Sequence, residues 1–317
     1  MRFTSLFIAA LFILQPCSSQ TAVAQIAASQ ADSSVSPQVR FTSGNRALFS
    51  PLVADPKEPR FAVLNVLAGN QLLLDIGGTI DLVRVNFQSP SPTEAQHAAA
   101  FGADFGTFTL LRKENDFKFP VEAIDYIFGI NVSYRQPVVI FSEKVSVSAR
   151  LRLSHISAHF VDGHYDGDNQ EWRDAKPPFV FSREFFNFVV AVEGGREAIG
   201  GRIYLGYEWI FHTLPNGFGT SVLQTGAEVY SNEFLAGAVT PFAATDLRLL
   251  SLGEAGRNAG GGDATTGMFS VQAGIKTGAM RGRGLRIAVN YQSGLDIHGM
   301  YFYRRIEQWS LGLVIDL

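Results

Sequence analysis

The residues best suited to chemistry stand in one short run, His155-Ile156-Ser157-Ala158-His159, near the end of KVSVSARLRLSHISAHF over 144–160. A hydroxyl is a weak nucleophile until a nearby base takes its proton, and Ser157 has an imidazole two residues away on each side. On an extended chain, residues i and i+2 face the same way about 6.6 Å apart, so both histidines share a face with Ser157. A hydrolytic site also needs a third group to orient the imidazole and stabilise its charged form. Ser182 and Glu184 share one parity at the start of the segment 179–192. If the two segments pair antiparallel, Glu184 falls opposite His155 and on the same face. His155 and His159 are about 13 Å apart along a strand, too far to chelate one ion, so no metal is expected.

The element that must carry this run is a strand with two unlike faces. Val145, Val147, Ala149, Leu151 and Leu153 form one parity, and Ser146, Ser148, Arg150 and Arg152 the other. His155, Ser157 and His159 continue the apolar parity. Similar alternation marks 122–134, where Ile124, Tyr126, Phe128, Ile130, Val132 and Tyr134 share a face. It recurs at 199–211 (Ile203, Leu205, Tyr207, Trp209, Phe211), 269–275 and 285–291, and in the last segment (Trp309, Leu311, Leu313, Ile315, Leu317). A period of two with an aromatic-rich face is the pattern of an antiparallel β-barrel that meets lipid outward. A soluble β-sandwich also alternates, but it does not call for so many outward aromatics.

The N-terminal stretch fits export. Arg2 precedes the apolar run Leu6–Leu14, and Ala22-Val23-Ala24 is an A-x-A cleavage site. Residues 1–24 therefore read as a signal peptide. The single cysteine, Cys17, lies within it behind Pro16, which does not fit a lipoprotein site. The chain of 317 residues is 46% hydrophobic and 17% charged. Without Arg2, its 26 basic residues become 25 against 29 acidic ones, a balance that implies no nucleic-acid partner. No stretch of eighteen apolar residues follows, so any membrane crossing must use strands.

The expected organisation is a signal peptide (1–24), a periplasmic N-terminal segment (25–60) and an all-β transmembrane antiparallel barrel of about 12 strands, within 10–14 (61–317). Within 25–60, FSPLVADPKEP over 49–59 has three prolines and reads as an ordered turn into the barrel or a small plug. Long connections are expected after segments ending near 161, 212, 252 and 294, and short ones near 193 and 277. Lys144, Arg150, Arg152, Arg183 and Glu193 point to the lumen by parity, either as pore charges or as ion-paired filling. Trp209, Trp309, Tyr207 and Tyr301 read as interface-belt aromatics. The Gly-rich 253–267 lacks the Lys-Ser/Thr of a phosphate loop and reads as an external loop, so no cofactor is expected.

Two resemblances follow from these residues. The spacing His155-x-Ser157 resembles that of the outer-membrane phospholipase A and outer-membrane lipid A deacylase families. Both are barrels with a His-x-Ser pair on the lipid-facing wall and a third polar residue twelve positions after the serine. That spacing lands here on Asn169. Both families continue with Asn and a small residue after the serine, whereas this chain has Ala158 and His159. Over most of its length the chain is similar to domain-of-unknown-function family 1207, through 49–59, His155–His159 and Ser182-Arg183-Glu184. That likeness implies a bacterial outer-membrane barrel and supplies no activity.

The candidate catalytic set is thus Ser157, His155 and Glu184, with His159 as an alternative base and Asn169 as an alternative third group. The partners this implies are membrane lipids or lipopolysaccharide, with barrel-assembly machinery during biogenesis. The alternatives are a passive pore and a structural or adhesive barrel. A strand tip standing above the membrane would carry the same polar residues without chemistry.

Overall fold

A computed structural model describes residues 38–40, 46–87, 97–196 and 198–316. The expected signal peptide, most of 25–45 and Leu317 lie outside them. Twelve strands form a closed antiparallel barrel: β1 Phe61–Val66, β2 Gln71–Phe87, β3 His97–Arg112, β4 Val121–Ile140, β5 Glu143–Phe160, β6 Phe181–Gly195, β7 Ile199–Leu214, β8 Ser221–Ser231, β9 Val239–Ser251, β10 Thr265–Thr277, β11 Gly284–Leu295 and β12 Arg305–Asp316. Each strand pairs with its sequence neighbours. The seam closes where β12 pairs with β1, from Ser310↔Val66 to Ile315↔Phe61. A short extra strand, Gln38–Arg40, pairs with the far end of β2 beyond β1.

The expected alternation sets the wall. On β4, Tyr126, Phe128, Ile130, Val132 and Tyr134 are exposed, while Asp125, Asn131 and Ser133 are buried inward. On β5, Leu151 and Leu153 face out, and Arg150 and Arg152 are buried in the lumen. Closure gives every strand two neighbours, although β1 covers only Leu72–Asp75 of the longer β2 and Gln38–Arg40 covers Arg84–Asn86. The long connections 161–180, 252–264 and 296–304 lie at one end. The short turns 141–142 and 196–198, with both ends of the barrel chain, lie at the other. The connection after β7, expected to be long, is only 215–220. The Gly-rich stretch is partly ordered as the short helix α1, Gly253–Asn258.

The lumen is filled in two layers. At the loop end the inward residues are apolar. Ile127, Ile156, Ala158, Phe181, Phe185, Phe218 and Leu250 pack beneath Met300, Tyr301 and Phe302 of the tucked connection 296–304. Tyr301 is therefore buried in this seal, not in the outer belt where its type placed it. Trp209, Trp309 and Tyr207 are exposed on the outer wall.

Below the seal runs the proline-rich segment. Phe49, Leu52, Asp55 and Glu58 are almost fully buried, so this part of the expected periplasmic segment is a plug inside the barrel. Its charges match the wall. Glu58 binds the Arg150 guanidinium and accepts from Arg152 at 3.1 Å. Arg152 also donates to Asp104 at 2.9 Å. Asp55 accepts from Arg248 at 2.5 Å. Arg202 donates to the Ser50 and Pro51 carbonyls, both at 2.7 Å. Three prolines remove backbone donors, which lets the segment run through a lumen where few acceptors are free. Glu193 faces in and pairs with Arg281 at 2.9 Å, whereas Lys144 is exposed at the mouth of the turn end.

Candidate active site

β5 carries His155, Ser157 and His159 outward, and both of its neighbours contribute to the setting. On β4, Phe128 lies opposite His155, Tyr126 opposite Ser157 and Ile124 opposite His159. On β6, Glu184 lies opposite His155 and Ser182 opposite Ser157. The polar run is thus bordered by a column that stays apolar or aromatic to the height of His159. One step below Glu184, Phe186 stacks on Trp209 with ring centres 6.0 Å apart, and Phe211 packs against both. An aromatic belt immediately beneath a polar cluster marks the level where lipid tails give way to headgroups.

The centre of the cluster is Glu184. His155 Nδ1 lies 2.5 Å from its Oε1, and Ser182 Oγ donates to the same oxygen at 3.0 Å. The other oxygen, Oε2, binds His212 Nδ1. With Nδ1–H donated to a carboxylate, the Nε2 lone pair of His155 is left free to accept a proton. The His155 ring also packs on Phe128, with centres 4.8 Å apart. Carboxylate and ring are both about a quarter exposed, with side-chain values of 26% and 29%, so the pair is reachable from the membrane side.

Ser157 stands on the same face two residues beyond. Among the described residues, no hydrogen bond joins its hydroxyl to His155 or His159. Long contacts in an unliganded site are common for a nucleophile and base that tighten around substrate. His159 packs edge-on against Tyr126 at 5.9 Å and, among the described residues, has no carboxylate like that of His155. Asn169 is elsewhere. It sits in the hairpin between Tyr165–Asp166 and Glu171–Trp172, and its side chain donates to Asp166 at 3.1 Å. The spacing that offered it as a third group therefore misplaces it.

His212 is the residue that sequence reasoning missed. Parity puts it inside, because Phe211 faces out. The register between β6 and β7 slips between Ile210 and His212, so both Phe211 and His212 face outward. A bulge adds one residue to one strand and resets the parity after it. Alternation alone carries no sign of that slip.

A closed antiparallel barrel with an aromatic-belted apolar wall and a charged, filled interior is a transmembrane β-barrel of the outer-membrane type. The chain belongs to the family described as Protein of unknown function (DUF1207), whose model matches residues 14–316. Among solved structures it is similar to the β domain of the Bordetella autotransporter Brka. That likeness covers 81% of this chain and 96% of that one, at 13% identity and a TM-score of 0.40. No curated protein matches the chain.

Proposed function

We propose that the protein is an outer-membrane acyl-ester hydrolase acting on lipid or lipopolysaccharide from the outer leaflet, with Ser157 as nucleophile. The observation that carries this reading is the 2.5 Å contact between His155 Nδ1 and Glu184 on the lipid-facing wall. A carboxylate in that position fixes one imidazole tautomer and stabilises the imidazolium formed in the reaction. His155 rather than His159 is the base, because among the described residues only His155 of the two has a carboxylate partner.

In the proposed reaction the Ser157 hydroxyl attacks the acyl carbonyl and His155 Nε2 takes its proton. The tetrahedral intermediate collapses, breaks the ester C–O bond and returns that proton to the departing alcohol oxygen. Water, activated by the same imidazole, then releases the fatty acid and regenerates Ser157. The height of the cluster supports a lipid ester as substrate, since ester bonds lie at the interface marked by Phe186, Trp209 and Phe211. The plug and the lumenal ion pairs speak against the pore alternative.

The test uses the full chain, refolded in detergent and presented with phospholipid or lipopolysaccharide in mixed micelles. Fatty acid release by the wild type and its loss in Ser157→Ala, with barrel folding intact by heat-modifiable gel mobility, is the expected result. Equal release by the two proteins removes Ser157 from the chemistry.

A further inference from the structure

Between plug and wall lies a small cavity of about 20 Å³, lined by Lys57, Arg152, Arg183, Asn187, Glu208 and Arg248 among others. Its lining is unusually cationic. Two of the four cations are ion-paired: Arg152 with Glu58 and Asp104, and Arg248 with Asp55, Glu208 and Asp246. The other two are not. Among the described residues, no carboxylate comes within ion-pair distance of Lys57 or Arg183. Arg183 is only 6% exposed, and its Nε is buried without a hydrogen-bond partner. Its guanidinium lies over the rings of Phe218 and Phe181, at 4.1 and 5.0 Å, which offers a π face but no anion.

Glu208 is the only carboxylate among these six lining residues, and it lies 3.6 Å from Arg248. Asp125 acts on Lys57 and Arg183 only from a distance, and its oxygens accept the Gly299 amide at 2.9 and 3.1 Å. Lys57, partly exposed, and Arg183, buried, thus share a cavity whose one lining carboxylate, Glu208, is taken up by Arg248. Leaving the buried Arg183 charge without an ion-pair partner is costly in a low-dielectric interior. The cavity is roomy enough for a water-sized particle, which needs about 10–15 Å³ on this measure.

We infer that this cavity binds one small monovalent anion of the halide class, held between Lys57 of the plug and Arg183 of β6. The ion completes the electrostatic match between plug and wall: Lys57 is the only lining cation that belongs to the plug. Asn187, buried on β6 with its amide at the cavity, supplies a neutral donor.

The site is tested on the full chain in detergent. Crystals grown in sodium bromide are expected to show an anomalous bromide peak within hydrogen-bond reach of Lys57 Nζ and the Arg183 guanidinium. A cavity holding only water gives no peak and overturns the inference. In solution, unfolding is compared in sodium chloride and in sodium gluconate at equal ionic strength, gluconate being too large to enter. At chloride ten times its dissociation constant, the unfolding equilibrium constant is expected to fall about tenfold. Lys57→Met is expected to abolish that difference. If it fails to fold, Arg183→Gln serves the same purpose. Identical wild-type unfolding in the two salts also overturns the site.

Discussion

At the scale of single residues, the cluster is a carboxylate shared by two imidazoles. Glu184 gives one oxygen to His155 and the other to His212. The two histidines are not equivalent under the proposed chemistry, because only His155 shares a strand face with Ser157. Glu184→Gln should therefore lower fatty acid release roughly 10²–10⁴-fold, the span of general-base contributions. His212→Gln should change it far less, since Glu184 keeps its bond to His155. Turnover of the two purified variants on one lipid substrate checks the contrast, and equal losses would mean that Glu184 does not act through His155. The sequence made His155, Ser157 and Glu184 legible because parity and strand pairing are local rules. His212 was hidden by a one-residue slip, and Asn169 was misplaced because spacing along the chain says nothing of a loop's path.

At the scale of elements, two packed segments lend themselves to measurement. The first is the loop-end seal. His164, buried in the connection after β5, accepts a hydrogen bond from Tyr301 Oη at Nδ1 (2.9 Å). Its Nε2 contacts the Lys176 carbonyl at 3.2 Å, and the ring stacks on Phe160 with centres 3.8 Å apart. Burial favours the neutral ring and holds the His164 pKa below its ordinary value. For a base with a lowered folded pKa, the contribution is present above the ordinary value of about 6.5 and is lost as pH falls through the lowered one. Protease cleavage within 165–180 should therefore be slow at neutral pH and rise on acidification, a rise that His164→Phe should blunt. The second segment is the plug. Glu58→Ala strands the buried guanidinium of Arg150 and removes one partner of Arg152. That should destabilise the barrel by about 3–5 kcal/mol, read from the shift of its urea midpoint. The three prolines marked this stretch as ordered turn or plug, but its contacts lie 92 to 193 residues away in sequence and could not be read locally.

At the scale of the whole molecule, the lumen is occupied from both ends. The apolar seal closes the loop end, and the plug with its ion pairs fills the middle. Planar-bilayer recordings of the wild type should be silent. An Asp55→Ala/Glu58→Ala double variant, which frees the plug from Arg248, Arg150 and Arg152, should show intermittent conductance. A steady wild-type current would contradict a filled barrel. Strand number was legible because alternation repeats along the chain. The inner filling was not, because the same lumenal arginines fit either a selective pore or a closed core until their partners are known.

The plug also constrains the order of assembly. It runs through Arg60 directly into β1, the six-residue strand that makes the closing seam with β12. A segment tethered so close to the seam is expected to lie along the nascent wall while the sheet is still open, so that the sheet curls around it. The barrel would then be wound on a mandrel that its own chain supplies, and that mandrel stays inside as the core.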